Sequence, residues 1–159
     1  MYAEKLLPHD LEAEEAVVGS VLIDGDCFPR VAPYIKADDF YRERNQLCFA
    51  ACEALFQRNE AIDQVTLARE LSRSSQLETV GGMAYLSHLI SVTPTSVHSE
   101  HYANVVARTA TMRKLIDVAS RISTLGYQDT DDIDATLRQA EDALFTVRGT
   151  ESQRGFMPL

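Results

Sequence analysis

The chain has no apolar run near the ~18–20 residues that span a bilayer, so no segment reads as a membrane helix. It lacks the start of a secretory signal too. Met1 to Asp10 carries no apolar core, and Glu12, Glu14 and Glu15 follow at once. Cysteine is scarce. Three residues, Cys27, Cys48 and Cys52, are an odd number for a disulfide framework. They are expected as free thiols in a reducing, cytoplasmic setting. Positive charge is also short: 15 Lys and Arg stand against 24 Asp and Glu, a net charge of −9. An acidic domain repels phosphate backbones and has no footprint of an autonomous nucleic-acid binder. Arg108, Arg113, Lys114 and Arg121 form a basic stretch, which reads as a solvated helix face. No segment alternates apolar and polar residues at period two, so little or no sheet is expected.

Motifs for chemistry are missing as well. No glycine-rich loop ends in Lys followed by Ser or Thr, so no nucleotide site of that kind is present. Gly81-Gly82 is the one double glycine, and it reads as a tight turn between helices. Cys48 and Cys52 lie one helical turn apart, but no second pair completes a metal site. His98 and His101 are too few for one. Asp129, Asp131, Asp132 and Asp134 resemble half of a calcium loop. The glycine and closing Glu of such a loop are absent, so a turn and helix cap is the better reading. No catalytic, metal-binding or cofactor-binding residue is assigned.

What the chain does have is helical pattern. Asp10 is a good N-cap, and the acidic residues after it suit the positive end of a helix dipole. That helix is expected to run to about Asp24 and stop at Gly25, with Val17, Val18, Val21 and Leu22 inward. Pro29 and Pro33 break the next stretch. A helix is predicted over 42–58 with Leu47, Ala51, Ala54 and Leu55 inward. Asp63 caps another, burying Val65, Leu67, Ala68 and Leu71. Gly81-Gly82 opens a further one with Met83, Leu86, Leu89 and Ile90.

The last third is the most patterned. Ile133, Leu137, Ala140, Leu144 and Val147 step by four, three, four, three, the repeat of a helix packed along a partner. Leu115, Val118, Ile122 and Leu125 keep the same step, as do Val105, Thr109, Met112, Ile116 and Ala119 on a neighbouring face. Gly126 to Asp132 is a turn. These features predict an all-α chain: a helical head over 8–96 and a long antiparallel hairpin over 97–148. The hairpin's longer arm has more apolar surface than one partner helix covers. Leu115 and Val118 are therefore candidates for self-association. Gly149 to Leu159 reads as a linker leading toward a further domain.

The residues carry a resemblance. Pro8-His9-Asp10-Leu11-Glu12-Ala13-Glu14, then Val17-Val18-Gly19-Ser20-Val21-Leu22, resembles the opening of DnaB-type replicative DNA helicases. Asp38-Asp39-Phe40-Tyr41, Ile62-Asp63 with Val65-Thr66-Leu67, and Leu77-Glu78 through Val80-Gly81-Gly82-Met83-Ala84-Tyr85-Leu86 resemble its next blocks. Pro94-Thr95, Tyr102-Ala103, Val105-Val106 and Arg113-Lys114-Leu115-Ile116 complete the series. Gln64 departs from the pattern, where the family usually has an apolar residue. The resemblance implies an N-terminal collar domain, assembled as a trimer of dimers through paired hairpins. It implies that ATP, magnesium and DNA are handled by a C-terminal ATPase domain absent from these residues, so this chain is expected to have no ATPase or unwinding activity. It also implies docking of the C-terminal domain of a DnaG-type primase on Glu12, Tyr85, Ile116 and Ile122. A second reading comes from residues 63–91, which look like helix, turn, helix. By that reading the chain is a free-standing dimeric DNA-binding regulator. Its recognition helix would offer Ala84, Tyr85, Ser87 and His88, poor material for reading bases.

Overall fold

Asp10 starts the first helix as its sequence predicts: its carboxylate accepts from the Ala13 amide at 3.0 Å. The structure, a computed structural model, describes residues 6–153. Helix α1 covers Leu11–Ile23 and α2 covers Phe28–Val31, with a single 3-10 turn, Gly25–Cys27, between them. After a second 3-10 turn at Ala37–Asp39 come α3, Glu43–Gln57, and α4, Gln64–Arg73. Helices α5, Leu77–Val80, and α6, Gly82–Ser91, complete the head. Helix α7 runs Ser99–Gly126 and α8 runs Ile133–Gln153. No strand occurs among the described residues. The all-α expectation holds.

The chain divides into two compact units. One is His9–Ala107, and the other joins the described residues before His9 to the described residues from Arg108 onward. The division falls inside α7 rather than near residue 96. The reason is that the first turns of α7 are core: Ala103, Val106 and Ala107 are fully buried.

In the head, α1 crosses α6 at Gly19. A Cβ there would lie 2.1 Å from Thr93 Oγ1 and 2.6 Å from the Leu89 carbonyl oxygen. Only hydrogen fits that crossing. Gly25 does not end α1 through a left-handed turn. The Asp24 amide closes the helix on the Ser20 carbonyl, and Gly25 is small because the Ile62 backbone passes over it. Phe28, Phe40 and Phe49 fill the centre, with ring centroids 5.1–5.3 Å apart. Asp63 caps α4 as predicted, in a reciprocal box with Thr66. Val65 is an error of the sequence reading, being 61% exposed; α4 buries Leu67, Ala68 and Leu71 instead. Likewise α3 turns Cys48, Phe49 and Cys52 inward, while Leu47 and Ala54 are half-buried.

A buried carboxylate ties the head together. Glu14 is fully buried, in the first turn of α1. Its oxygens accept from the Tyr41 amide at 2.7 Å, the Arg42 amide at 3.3 Å and Asn45 Nδ2 at 3.0 Å. The N-cap position of α3 is Arg42, whose side chain makes no capping bond. Glu14 supplies from α1 the acceptor that α3 lacks, at the positive end of its dipole.

In the second unit, α7 and α8 face each other antiparallel. Thr111, Met112 and Leu115 share a groove with Leu144, Val147 and Arg148. Asp132 Oδ1 accepts from the Ala135 amide at 3.0 Å, so this acidic turn is indeed a helix cap. On the basic face Arg121 pairs locally, 3.4 Å from Asp117, while Arg113 donates to the distant Pro8 carbonyl at 2.8 Å. The expected linker start is corrected: α8 continues through Gly149 to Gln153. A glycine inside a helix costs only ~1 kcal/mol relative to alanine, which a long helix absorbs. The rest of the expected linker, 154–159, lies outside the described residues.

All three thiols are buried and free. Burial pushes Cys48 up to about 12, raises Cys52 further and raises Cys27. The native state thus holds protons that the unfolded chain releases above about pH 9. This stabilisation is complete below that pH and is lost as pH rises toward the folded values. Denaturant melts should show stability falling from pH 9 upward, by up to ~1.4 kcal/mol per pH unit for each thiol. Cys48→Ala should make the fall shallower, whereas a flat profile to pH 11 would mean that the thiols are solvated.

Candidate partner-docking surface

The sequence assigns docking to Glu12 and Tyr85 in the head and to Ile116 and Ile122 in the hairpin. The structure treats the four differently. Glu12 is exposed, as its position in the first turn of α1 predicts. Tyr85 is only 7% exposed. Its hydroxyl donates to Asn45 Oδ1, and Asn45 in turn donates to Glu14. The ring is thus the outer member of the buried polar network. Burial, then the nearby Glu15 charge, raises the phenol above its ordinary value, against the opposing effect of Arg44 and Arg42. Tyr85 is a buried member of the face rather than an exposed contact.

What lies over Tyr85 was not picked out from the sequence. The Arg44 guanidinium carbon sits 4.8 Å from the ring centroid, a stacked cation–π arrangement. On the same helix as Tyr85, His88 lies with its ring 5.9 Å away, and its Nε2 meets Glu15 Oε1. A cleft of about 440 Å³ opens here, lined by Glu12, Glu15, Ala16, His88, Val92 and Tyr102. Nothing local in the sequence signals these contacts, because each joins residues of different helices. A short apolar floor with two carboxylates and an imidazole can receive a protein side chain. It holds no nucleophile placed beside a base.

In the hairpin unit, Leu115 is 44% exposed and Ile116 45%, while Ile122 is half-buried. Val118 is 2% exposed. It is already packed within the single chain, so as an exposed self-association residue it is corrected. The groove of about 380 Å³ that includes Leu115 is almost wholly apolar in its lining. Along α8, Ile133, Leu137 and Leu144 remain half-exposed or more. The heptad stripe is therefore real, and one chain leaves it uncovered.

With this geometry in place the comparisons decide the family. Residues 6–108 match the family described as DnaB-like helicase N terminal domain. This chain belongs to that family. It is 36% identical over 147 residues to the replicative DNA helicase DnaB of Geobacillus stearothermophilus, covering 92% of this chain and 32% of the relative. It is 31% identical over 156 residues to DnaB of Leifsonia xyli subsp. xyli, covering 98% of this chain and 34% of that one. The chain thus spans about a third of the length of these relatives. Among solved structures, the N-terminal domain of DnaB helicase from Mycobacterium tuberculosis superposes with a TM-score of 0.85 at 34% identity, covering 89% of this chain and 99% of that one. A DnaB-like replicative helicase described with its interactions with primase has a TM-score of 0.72 at 18% identity, covering 87% of this chain and 31% of that one. At that identity it bears on the fold alone. The DnaB-like N-terminal fold also sets aside a helix-turn-helix regulator. The helix α5 interrupts the expected turn, and α6 exposes Met83, Ala84, Ser87 and His88, with no Arg, Lys, Asn or Gln for base edges.

The Tyr85 network makes a direct prediction. Tyr85→Phe keeps the ring and its stacking but leaves Asn45 Oδ1 buried without its donor. Denaturant unfolding should show a loss of about 1–3 kcal/mol. A variant as stable as the parent would mean that the hydroxyl is solvated and does not hold Asn45.

Proposed function

We propose that this DnaB-like domain is the non-catalytic collar of a bacterial replicative DNA helicase, working in the cytoplasm. It assembles through its hairpin, dimer by dimer, and receives the C-terminal domain of a DnaG-type primase. ATP hydrolysis, magnesium binding and DNA translocation belong to a C-terminal ATPase domain of the whole protein, and DNA meets the collar only through the full ring.

The observation that carries the reading is the uncovered apolar stripe. Ile133, Leu137 and Leu144 on α8, with Leu115 in the facing groove, stay half-exposed in a domain of net charge −9. Contiguous apolar surface on an otherwise charged domain marks an interaction site. A second copy of the same stripe covers it at the spacing that packs helix on helix. For primase docking the support is the family resemblance at Glu12, Tyr85, Ile116 and Ile122, together with the exposure of Glu12 and Ile116. Tyr85 contributes from beneath, by holding the groups that a partner touches.

Sedimentation velocity tests the assembly half. Leu115→Asp should lower the sedimenting mass while leaving the head's melting transition in place, and unchanged association in the folded variant contradicts hairpin-driven assembly. Val118→Asp should instead unfold the hairpin, because it buries an unpaired charge. Titration with the cognate primase C-terminal domain tests the other half. Glu12→Ala, Ile116→Ala and Ile122→Ala should each weaken binding, with about 1–3 kcal/mol lost where the residue lies at the interface centre. No binding by the parent chain would sink the docking role.

A further inference from the structure

Arg44 is an arginine out of place. It lies in the first turn of α3, where the helix dipole favours acidic residues and opposes cations. Its guanidinium is half-buried, stacked on Tyr85, and sits against Gly81, where an added Cβ would lie 4.0 Å from Nη1. Among the described residues the ion pairs of Arg30, Arg58, Arg73 and Arg121 account for their own acids, and Arg44 has no acidic partner. Glu15, whose charge acts on Tyr85, is engaged with His88. The result is a fork of donors stacked on an aromatic ring, with no direct ion pair, inside a strongly acidic chain.

We infer that Arg44 is a specificity-determining residue of the docking face, and that it receives an Asp or Glu side chain of the docking protein. The inference rests on the docking function proposed above. A planar guanidinium binds a carboxylate through two parallel N–H donors, and its stacking on Tyr85 removes much of the ordering entropy such a pair costs. A phosphate would suit the fork as well. A nucleic-acid strand does not suit the surroundings, because Glu12 and Glu15 line the cleft of this face and repel a polyanion. A single carboxylate on a folded partner approaches Arg44 without that repulsion. The buried position of Tyr85 also acquires a purpose: its ring orients the group that makes the contact.

The test is a titration of the chain with its cognate primase C-terminal domain at two salt concentrations, with melting curves alongside. Arg44→Gln should weaken binding about 5- to 30-fold, flatten the salt dependence and leave the melting temperature unchanged. Arg44→Lys should recover part of the affinity, because it keeps the charge but not the fork. Charge reversal of one acidic residue on the primase domain, paired with Arg44→Glu, should restore binding that either change alone abolishes. Parent-like affinity of folded Arg44→Gln overturns the inference while leaving primase docking intact. Absence of binding by the parent chain overturns both. In a separate titration with a single-stranded oligonucleotide, Arg44-dependent binding would assign the fork to nucleic acid and overturn the carboxylate reading.

Discussion

The head depends on one carboxylate. Glu14 is fully buried and far from its partners in sequence, yet every hydrogen bond it makes does a definable job. Desolvating a carboxylate costs several kcal/mol, and it is tolerated only where donors replace the lost water. Here two backbone amides and an Asn side chain do so. The amides are those of Tyr41 and Arg42, at the N-cap of α3 and the residue before it, so the same bonds that satisfy the carboxyl also fix the entry of the chain into α3. Through Asn45 the network reaches Tyr85 on α6. Three helices from distant parts of the chain are thereby fixed at one point. Apolar packing around Phe28, Phe40 and Phe49 supplies the bulk of the burial, but it does not specify an angle or a register.

That constraint shapes the surface. Because Tyr85 is anchored by its hydroxyl, its ring is a fixed platform, and Arg44 lies over it. His88, on the next turn of α6, is held by Glu15 of α1. This face of the head is thus built from charged side chains on a rigid aromatic base. The hairpin carries the opposite kind of surface, an apolar stripe with little polar relief. A stripe of that kind favours a partner helix of the same repeat, while a mixed-charge face favours a particular partner with complementary charges. One short chain therefore holds two chemically distinct surfaces.

Local features were legible in the sequence, and features spanning helices were not. Asp10 and Asp63 are legible as caps, and the turn with Asp129, Asp131, Asp132 and Asp134 as containing one, because a cap and its amide lie within three residues. The heptad of α8 and the span of α7 were read from periodicity alone. Glu14 was read only as a companion of Glu12 in the first turn, since nothing nearby in sequence shows that one acid points inward and the other out. Its partners are 27 to 31 residues away. Val65 was misplaced because an apolar residue in the first turn of a helix need not face the core. Gly149 was taken as the end of order on composition, whereas the helix carries it. The assignment of docking to Tyr85 rests on resemblance, and the structure buries that ring. The group over that ring is the half-buried Arg44, which only the fold brings to it.

The central claim is that Glu14 closes the start of α3 and holds the head's helices in register. Amide hydrogen exchange of Tyr41 and Arg42 measures it most directly, comparing the parent chain with Glu14→Gln. The account predicts that both amides are strongly protected in the parent and lose protection by orders of magnitude in the variant, while amides in the middle of α7 change far less. Equal protection of Tyr41 and Arg42 in the two proteins would contradict it.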